Sequence, residues 1–157
     1  MSAAQRVSPA ESFTSKTLVN LTLSNGFYLS GFPPPLGGGV FFPKLKTLSL
    51  LSVGFETWEV YEYLITGCPL LEELSIRYGS PSACRWMVVT QSRAVESASV
   101  KRLTISYPFR GYCLPYAGGV FRTPSLVYLD LSGYVAGYYY VDFSSLVEAR
   151  MDIRQTI

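Results

Sequence analysis

Histidine is absent from all 157 residues. Without imidazole there is no Ser-His-Asp or Cys-His pair and no histidine metal ligand. There is also no side chain whose ordinary titration falls near neutral pH, so the common forms of nucleophilic and acid–base catalysis lack their usual parts. Cysteine is scarce: Cys68, Cys84 and Cys113 are an odd count with no C-x-x-C spacing. That argues against a disulfide scaffold or a zinc site and fits a reducing intracellular compartment. Charge is thin as well. Charged residues make up 15% and the formal net charge is +2; Lys and Arg are scattered rather than gathered into a stripe, so no nucleic-acid partner is expected. No apolar run approaches the ~18 residues that cross a membrane, so none is expected to do so. Residues 1–12 hold no apolar signal-peptide core. Asp130, Glu148 and Asp152 cluster near the last two predicted strands, and they read as a charged solvent face rather than an acid–base pair. The composition therefore predicts no enzyme, no cofactor and no metal site.

What the chain does have is repetition. An aliphatic residue, two variable residues, an apolar residue, one variable residue and a third apolar residue recur six times. The apolar positions are Leu18, Leu21 and Leu23; Leu45, Leu48 and Leu50; Leu71, Leu74 and Ile76; Val100, Leu103 and Ile105; Leu126, Leu129 and Leu131; and a degenerate Leu146, Ala149 and Met151. Successive first positions lie 27, 26, 29, 26 and 20 residues apart. This period is that of a leucine-rich-repeat solenoid, in which each unit buries its apolar face only against its neighbours. The spacing predicts an α/β fold, a short right-handed arc of about six parallel strands with irregular or helical connectors. A leucine-rich-repeat domain is expected over 14–157, with strands near 18–24, 45–51, 71–77, 100–106, 126–132 and 146–152. A disordered segment is expected over 1–13.

Side chains alternate across a strand. The fourth and sixth residues of each phrase then point into a common core, and Leu48, Leu74, Leu103 and Leu129 are predicted to be almost fully buried. The third, fifth and seventh residues point to the opposite face. Read across the repeats, that face is small and neutral at first (Asn20, Thr22, Ser24, Thr47, Ser49) and becomes charged and aromatic later. Glu73, Arg77, Arg102, Tyr128, Asp130 and Arg150 are the candidate protein-binding residues, because Tyr and Arg are the types that most often anchor interfaces. The plain alternative is a solvated face that binds nothing.

Between the second and third phrases, residues 56–66 are expected to form a helix. Trp58, Tyr61, Leu64 and Ile65 make its apolar stripe, Thr57 a candidate cap, and Gly67 with Pro69 its end. The Pro33–Pro34–Pro35 and Gly37–Gly38–Gly39 runs read as connector. Residues 85–89 are a candidate extra strand, and Tyr138, Tyr139 and Tyr140 are expected to cover the final strands. The glycosylation sequon at Asn20 falls inside a predicted strand and reads as coincidence.

One stretch is more specific than the repeat. Ile65-Thr66-Gly67-Cys68-Pro69-Leu70-Leu71-Glu72-Glu73-Leu74 resembles the gCPxLEeL signature of plant F-box/leucine-rich-repeat proteins, many of which also carry an FBD domain. Stretches beginning at Ser99, Thr123 and Ser145 look like the same family, and the resemblance covers about residues 14–153. In such proteins an F-box binds a Skp-family adaptor within a cullin ubiquitin ligase, and the repeats choose the substrate. Residues 1–12 contain no Leu-Pro-x-x-Leu-like opening, so adaptor binding is not carried over unless an F-box lies upstream in a longer chain. The resemblance implies a non-enzymatic module that takes an unknown protein substrate on its concave repeat face, in the nucleus or cytoplasm. The alternatives are a small-molecule-sensing scaffold and a truncated, non-functional remnant of a longer gene. Open end strands lead to one more expectation, self-association of the isolated chain.

Overall fold

The computed structural model describes residues 5–7, 14–24, 27–29, 42–55, 58–79, 93–107, 119–135 and 139–155. In chain order the elements are β1 (Gln5–Val7), β2 (Asn20–Ser24), β3 (Phe27–Leu29), β4 (Thr47–Leu51), β5 (Gly54–Phe55) and α1 (Trp58–Thr66). They continue as β6 (Glu73–Arg77), β7 (Arg93–Glu96), β8 (Arg102–Tyr107), β9 (Gly119–Arg122), β10 (Tyr128–Val135), β11 (Tyr139–Val141) and β12 (Glu148–Gln155). The Pro33–Pro35 and Gly37–Gly39 runs, Thr57, Cys84, the candidate strand at 85–89, Cys113 and Tyr138 lie outside the described residues.

Four of the six repeats begin with a backbone turn, and in three of them the sequence specifies it. In Phe42-Pro43-Lys44-Leu45, Cys68-Pro69-Leu70-Leu71 and Thr123-Pro124-Ser125-Leu126 the N–H of the fourth residue donates to the carbonyl of the first, at 3.2, 3.1 and 2.9 Å. Proline in the second position presets the backbone angle such a turn needs. The last repeat makes the same bond without proline, from Leu146 N–H to the Phe143 carbonyl at 3.1 Å. The first leucine of the phrase thus closes the turn rather than opening the strand. The strands therefore start two residues later than the sequence pattern predicts, at Asn20, Thr47, Glu73, Arg102, Tyr128 and Glu148.

The repeats are joined by one backbone device. The carbonyl of Val19 accepts the N–H groups of Lys46 and Thr47, and that of Lys46 accepts those of Glu72 and Glu73. The carbonyls of Glu72, Lys101 and Val127 do the same for the next repeat in turn. Every strand is thereby started in the same register, and the result is a six-stranded sheet in the order β12-β10-β8-β6-β4-β2. Its pairings are all parallel. The chain is a leucine-rich-repeat solenoid of the α/β class.

The core is the ladder that the phrases predict. Leu48, Leu74, Leu103 and Leu129 are 0–1% exposed, and Leu50, Ile76, Ile105 and Leu131 lie beside them at 2–4%. Two three-stranded parallel sheets, β1-β3-β5 and β7-β9-β11, make a second layer. Helix α1 packs against β5 and β7; Val60, Leu64 and Ile65 are its buried residues, and half-buried Tyr61 meets Phe55 edge-on at 5.4 Å. Ser52 turns the chain out of β4 at a left-handed φ of 54°. Two bonds hold that conformation: its N–H donates to the Arg77 carbonyl (2.7 Å) and its Oγ accepts the Gly79 N–H (2.9 Å).

Two expectations are corrected. Within the segment expected to be disordered, Gln5–Val7 forms β1 and pairs in parallel with β3. Three residues with no apolar alternation carry no sequence signal, and their order comes from hydrogen-bonding partners supplied by a distant edge. Tyr140, expected to cover the last strands, lies 63% exposed in β11. Among the described residues no helix is long and apolar enough to cross a membrane.

Candidate protein-interaction face

Strand register turns the outward positions into three rows that cross the whole sheet. The first row is Asn20, Thr47, Glu73, Arg102, Tyr128 and Glu148. The second is Thr22, Ser49, Ser75, Thr104, Asp130 and Arg150, and the third is Ser24, Leu51, Arg77, Ser106, Ser132 and Asp152.

At the centre of the first row the guanidinium of Arg102 is held from two sides. Its Nε lies 3.9 Å from Glu73 Oε1, and its carbon sits 4.2 Å from the centroid of the Tyr128 ring. An exposed ion pair of this kind contributes little stability, about 0–1 kcal/mol, and the stacking contact about as much. Their effect is orientation: a carboxylate, a cation and an aromatic ring are presented in line over roughly 10 Å of surface, at ~4.8 Å per strand. Asp130 and Arg150 are register partners in the second row. Arg150 nevertheless turns along its own strand, with Nε 3.1 Å from Glu148 Oε1. Arg77 stands apart, four residues along β6 from Glu73 and so ~13 Å away. The six candidates thus resolve into a linked trio, an adjacent pair and an outlier.

Beside these rows runs a charged chain that the face-by-face reading missed. Glu72 Oε1 lies 3.3 Å from Lys46 Nζ, and its Oε2 lies 3.7 Å from Lys101 Nζ. All three residues occupy the second position of the phrase, just before the strand, where the sequence reads Lys, Glu, Lys at repeat spacing. Ser132 Oγ donates to Ser106 Oγ at 3.1 Å in the third row. On the edge of the second layer, Arg122 of β9 pairs with Glu96 of β7.

Cys68 is not part of any such surface. Burial pushes its thiol from an ordinary 9.0 up to about 12, and its Sγ donates to the Leu64 carbonyl at 3.2 Å. It is a turn-filling residue that remains a thiol at neutral pH. Among the described residues no group of three or more His, Cys, Asp or Glu side chains gathers to hold a metal ion.

A parallel sheet built from in-register L-x-x-L-x-L phrases, with its variable positions aligned on the open face, defines the class as a leucine-rich-repeat protein. A family model for the leucine-rich repeats of the FBD-associated F-box protein At5g56370 matches residues 2–111. The chain belongs to this family, the repeat region of FBD-associated F-box proteins. It is 51% identical over 142 residues to the F-box protein At4g27050 of Arabidopsis thaliana, covering 90% of this chain and 28% of that protein. It is 49% identical over 144 residues to the putative F-box protein At1g64540 and 46% identical over 146 residues to the F-box/LRR-repeat protein At5g35995, both of Arabidopsis thaliana. Each of these matches covers 90% of this chain and 31% of the relative. The chain spans under a third of the length of these curated relatives. No solved structure matches it.

Proposed function

We propose that the open face of the six-stranded sheet is a substrate-recognition surface, the part of an F-box/leucine-rich-repeat protein that selects a protein for a cullin-type ubiquitin ligase. Partner contact centres on Glu73, Arg102, Tyr128, Asp130 and Arg150, with Arg77 at its margin. The observation that carries this reading is the Glu73–Arg102–Tyr128 row, in which an arginine and a tyrosine are oriented before any partner arrives. Preorganised Arg and Tyr are the commonest interface anchors, because little side-chain freedom is lost when they bind. The β2 and β4 part of the same face offers Asn20, Thr22, Ser24, Thr47 and Ser49, which lack both charge and aromatic area.

The role is non-enzymatic and intracellular. A chain without histidine, whose outward carboxylates Glu148 and Asp152 are each engaged by a neighbouring arginine, supports binding rather than catalysis. Adaptor binding is a property of an F-box and is assigned to none of these residues.

Pull-downs from plant extract, compared quantitatively between wild type, Arg102→Glu and Thr22→Arg, test the placement. The expected outcome is a partner retained by Thr22→Arg and weakened about tenfold or more by Arg102→Glu. The melting curve should move by no more than ~0.5 kcal/mol equivalent in either variant. A partner lost by Thr22→Arg and kept by Arg102→Glu places recognition at the other end of the sheet.

A further inference from the structure

The open face carries charge that it does not itself neutralise. In its three rows Glu73 meets Arg102, Glu148 meets Arg150, and Asp152 meets Arg154. The side chains of Arg77 and Asp130 have no ionic or hydrogen-bonding partner among the described residues. Register gives the reason. Arg77 stands between Leu51 of β4 and Ser106 of β8, neither of which is charged. Asp130 stands between Thr104 of β8 and Arg150 of β12, and Arg150 is turned along its own strand to Glu148.

A paired charge presents a largely cancelled field to a newcomer, whereas an unpaired one keeps its attraction. Arg77 is exposed. Asp130 is half-buried, so its carboxylate has lost part of its water without gaining a counter-charge. The two charges that remain open on this face are therefore one cation and one anion.

They lie on a diagonal with one strand between them. Arg77 is in register with Ser106 and Ser132, and Asp130 precedes Ser132 by two residues on β10. At ~4.8 Å per strand and ~3.3 Å per residue, their Cα atoms are about 12 Å apart. The ground between them is Thr104 and Ser106 of β8, small and half-buried. Ser106 Oγ accepts the Ser132 hydroxyl at 3.1 Å, which leaves the Ser106 proton to donate. An anion seated on Arg77 can then take that proton's hydrogen bond as well as those of the guanidinium.

We propose that this diagonal receives an extended segment of the partner protein bearing an acidic and a basic side chain four residues apart, the acid on Arg77 and the base on Asp130. The proposal rests on the open face being the recognition surface. An extended chain rises ~3.3 Å per residue and turns every second side chain to the same side, so residues i and i+4 lie ~13 Å apart and both face the sheet. The side chain at i+2 then falls over Thr104 and Ser106, whose small size leaves room for it. An extended backbone also keeps N–H and C=O groups free for the Thr104 hydroxyl, whereas a helix spends its own internally. Either chain direction meets both charges.

A displayed library of random short peptides, selected on the 157-residue chain, supplies the probes. Enriched peptides should carry an acid and a base four residues apart. Each is then titrated by fluorescence polarisation against wild type, Arg77→Glu, Asp130→Lys and Arg102→Glu, with circular dichroism showing that every variant is folded. Arg77→Glu and Asp130→Lys should each weaken binding about tenfold or more. A peptide whose acid is exchanged for lysine should bind Arg77→Glu better than it binds wild type. A peptide whose base is exchanged for glutamate should do the same for Asp130→Lys. The neutral variants Arg77→Gln and Asp130→Asn should show a smaller loss in the same direction, and they carry the test if a reversal does not fold. Peptides sensitive to Arg102→Glu but indifferent to changes at Arg77 and Asp130 overturn the proposal and leave the face as the recognition surface. Peptides indifferent at all three positions bind elsewhere, and the reading beneath the proposal fails with it. A library without binders, enriched charges at helical spacing, or folded reversals that the exchanged peptides do not rescue also overturn it.

Discussion

Cys68 and Thr123 hold the same place in two repeats, the first residue of the proline turn, and both are buried. Cys68 gives its Sγ proton to the Leu64 carbonyl. Thr123 Oγ1 has no hydrogen-bond partner among the described residues. A buried hydroxyl left unpaired costs on the order of 1–3 kcal/mol, and a methyl of the same size does not carry that cost. Thr123→Val should therefore raise stability by about 1 kcal/mol in urea titration. Thr123→Asn, larger and more polar, should lower it. For Cys68 the folded-state pKa is raised, so the thiol's contribution to stability is complete below pH 9.0 and falls as pH rises toward about 12. Cys68→Ala should flatten that part of the alkaline stability profile. In the native protein the Cys68 thiol should resist alkylation at about pH 8 until the chain unfolds, which mass spectrometry of iodoacetamide-treated protein reads directly.

At the scale of the element, the same apolar position is worth different amounts in different strands. Leu74→Ala and Leu103→Ala remove fully buried side chains from inner strands, with an expected cost of ~2–5 kcal/mol each. Met151→Ala, at the equivalent place of an exposed strand, should cost well under about 1 kcal/mol. Thermal melts of the three variants check the contrast. The inner strands were legible in the sequence because burial imposes their pattern: every leucine that has a neighbour on both sides must be apolar. The turns were legible through Pro43, Pro69 and Pro124, since a residue with a fixed backbone angle marks the bend. β1 was not legible, and neither were the two small sheets of the second layer. Their order depends on partners far away in the chain, and strands of two to four residues are too short for alternation to register. The site was legible only in part. Outward direction followed from parity along the strand, but the stacking of Arg102 on Tyr128 and the Lys46–Glu72–Lys101 chain depend on which residues stand side by side. That is fixed by inter-repeat register, not by the phrase.

Across the whole molecule, stability in a repeat stack is a sum of units and the joints between them. Among the described residues, strands β6 and β8 have a neighbour on each side, whereas β2 and β12 each pair with a single strand of the main sheet. Native-state hydrogen exchange should therefore be slowest in β6 and β8 and fastest in β12. Equal protection along the sheet would mean that the stack opens as one unit. The joints themselves are built from a carbonyl and the two N–H groups that follow in the next repeat, and this holds from Val19 to Glu148. These particular bonds use backbone groups alone, so this part of the stack's grammar is separate from its vocabulary. A repeat excised at one proline turn and spliced in at another would meet the same three backbone groups on either side. Duplication or shuffling of such units rewrites what the face reads while keeping these backbone joints.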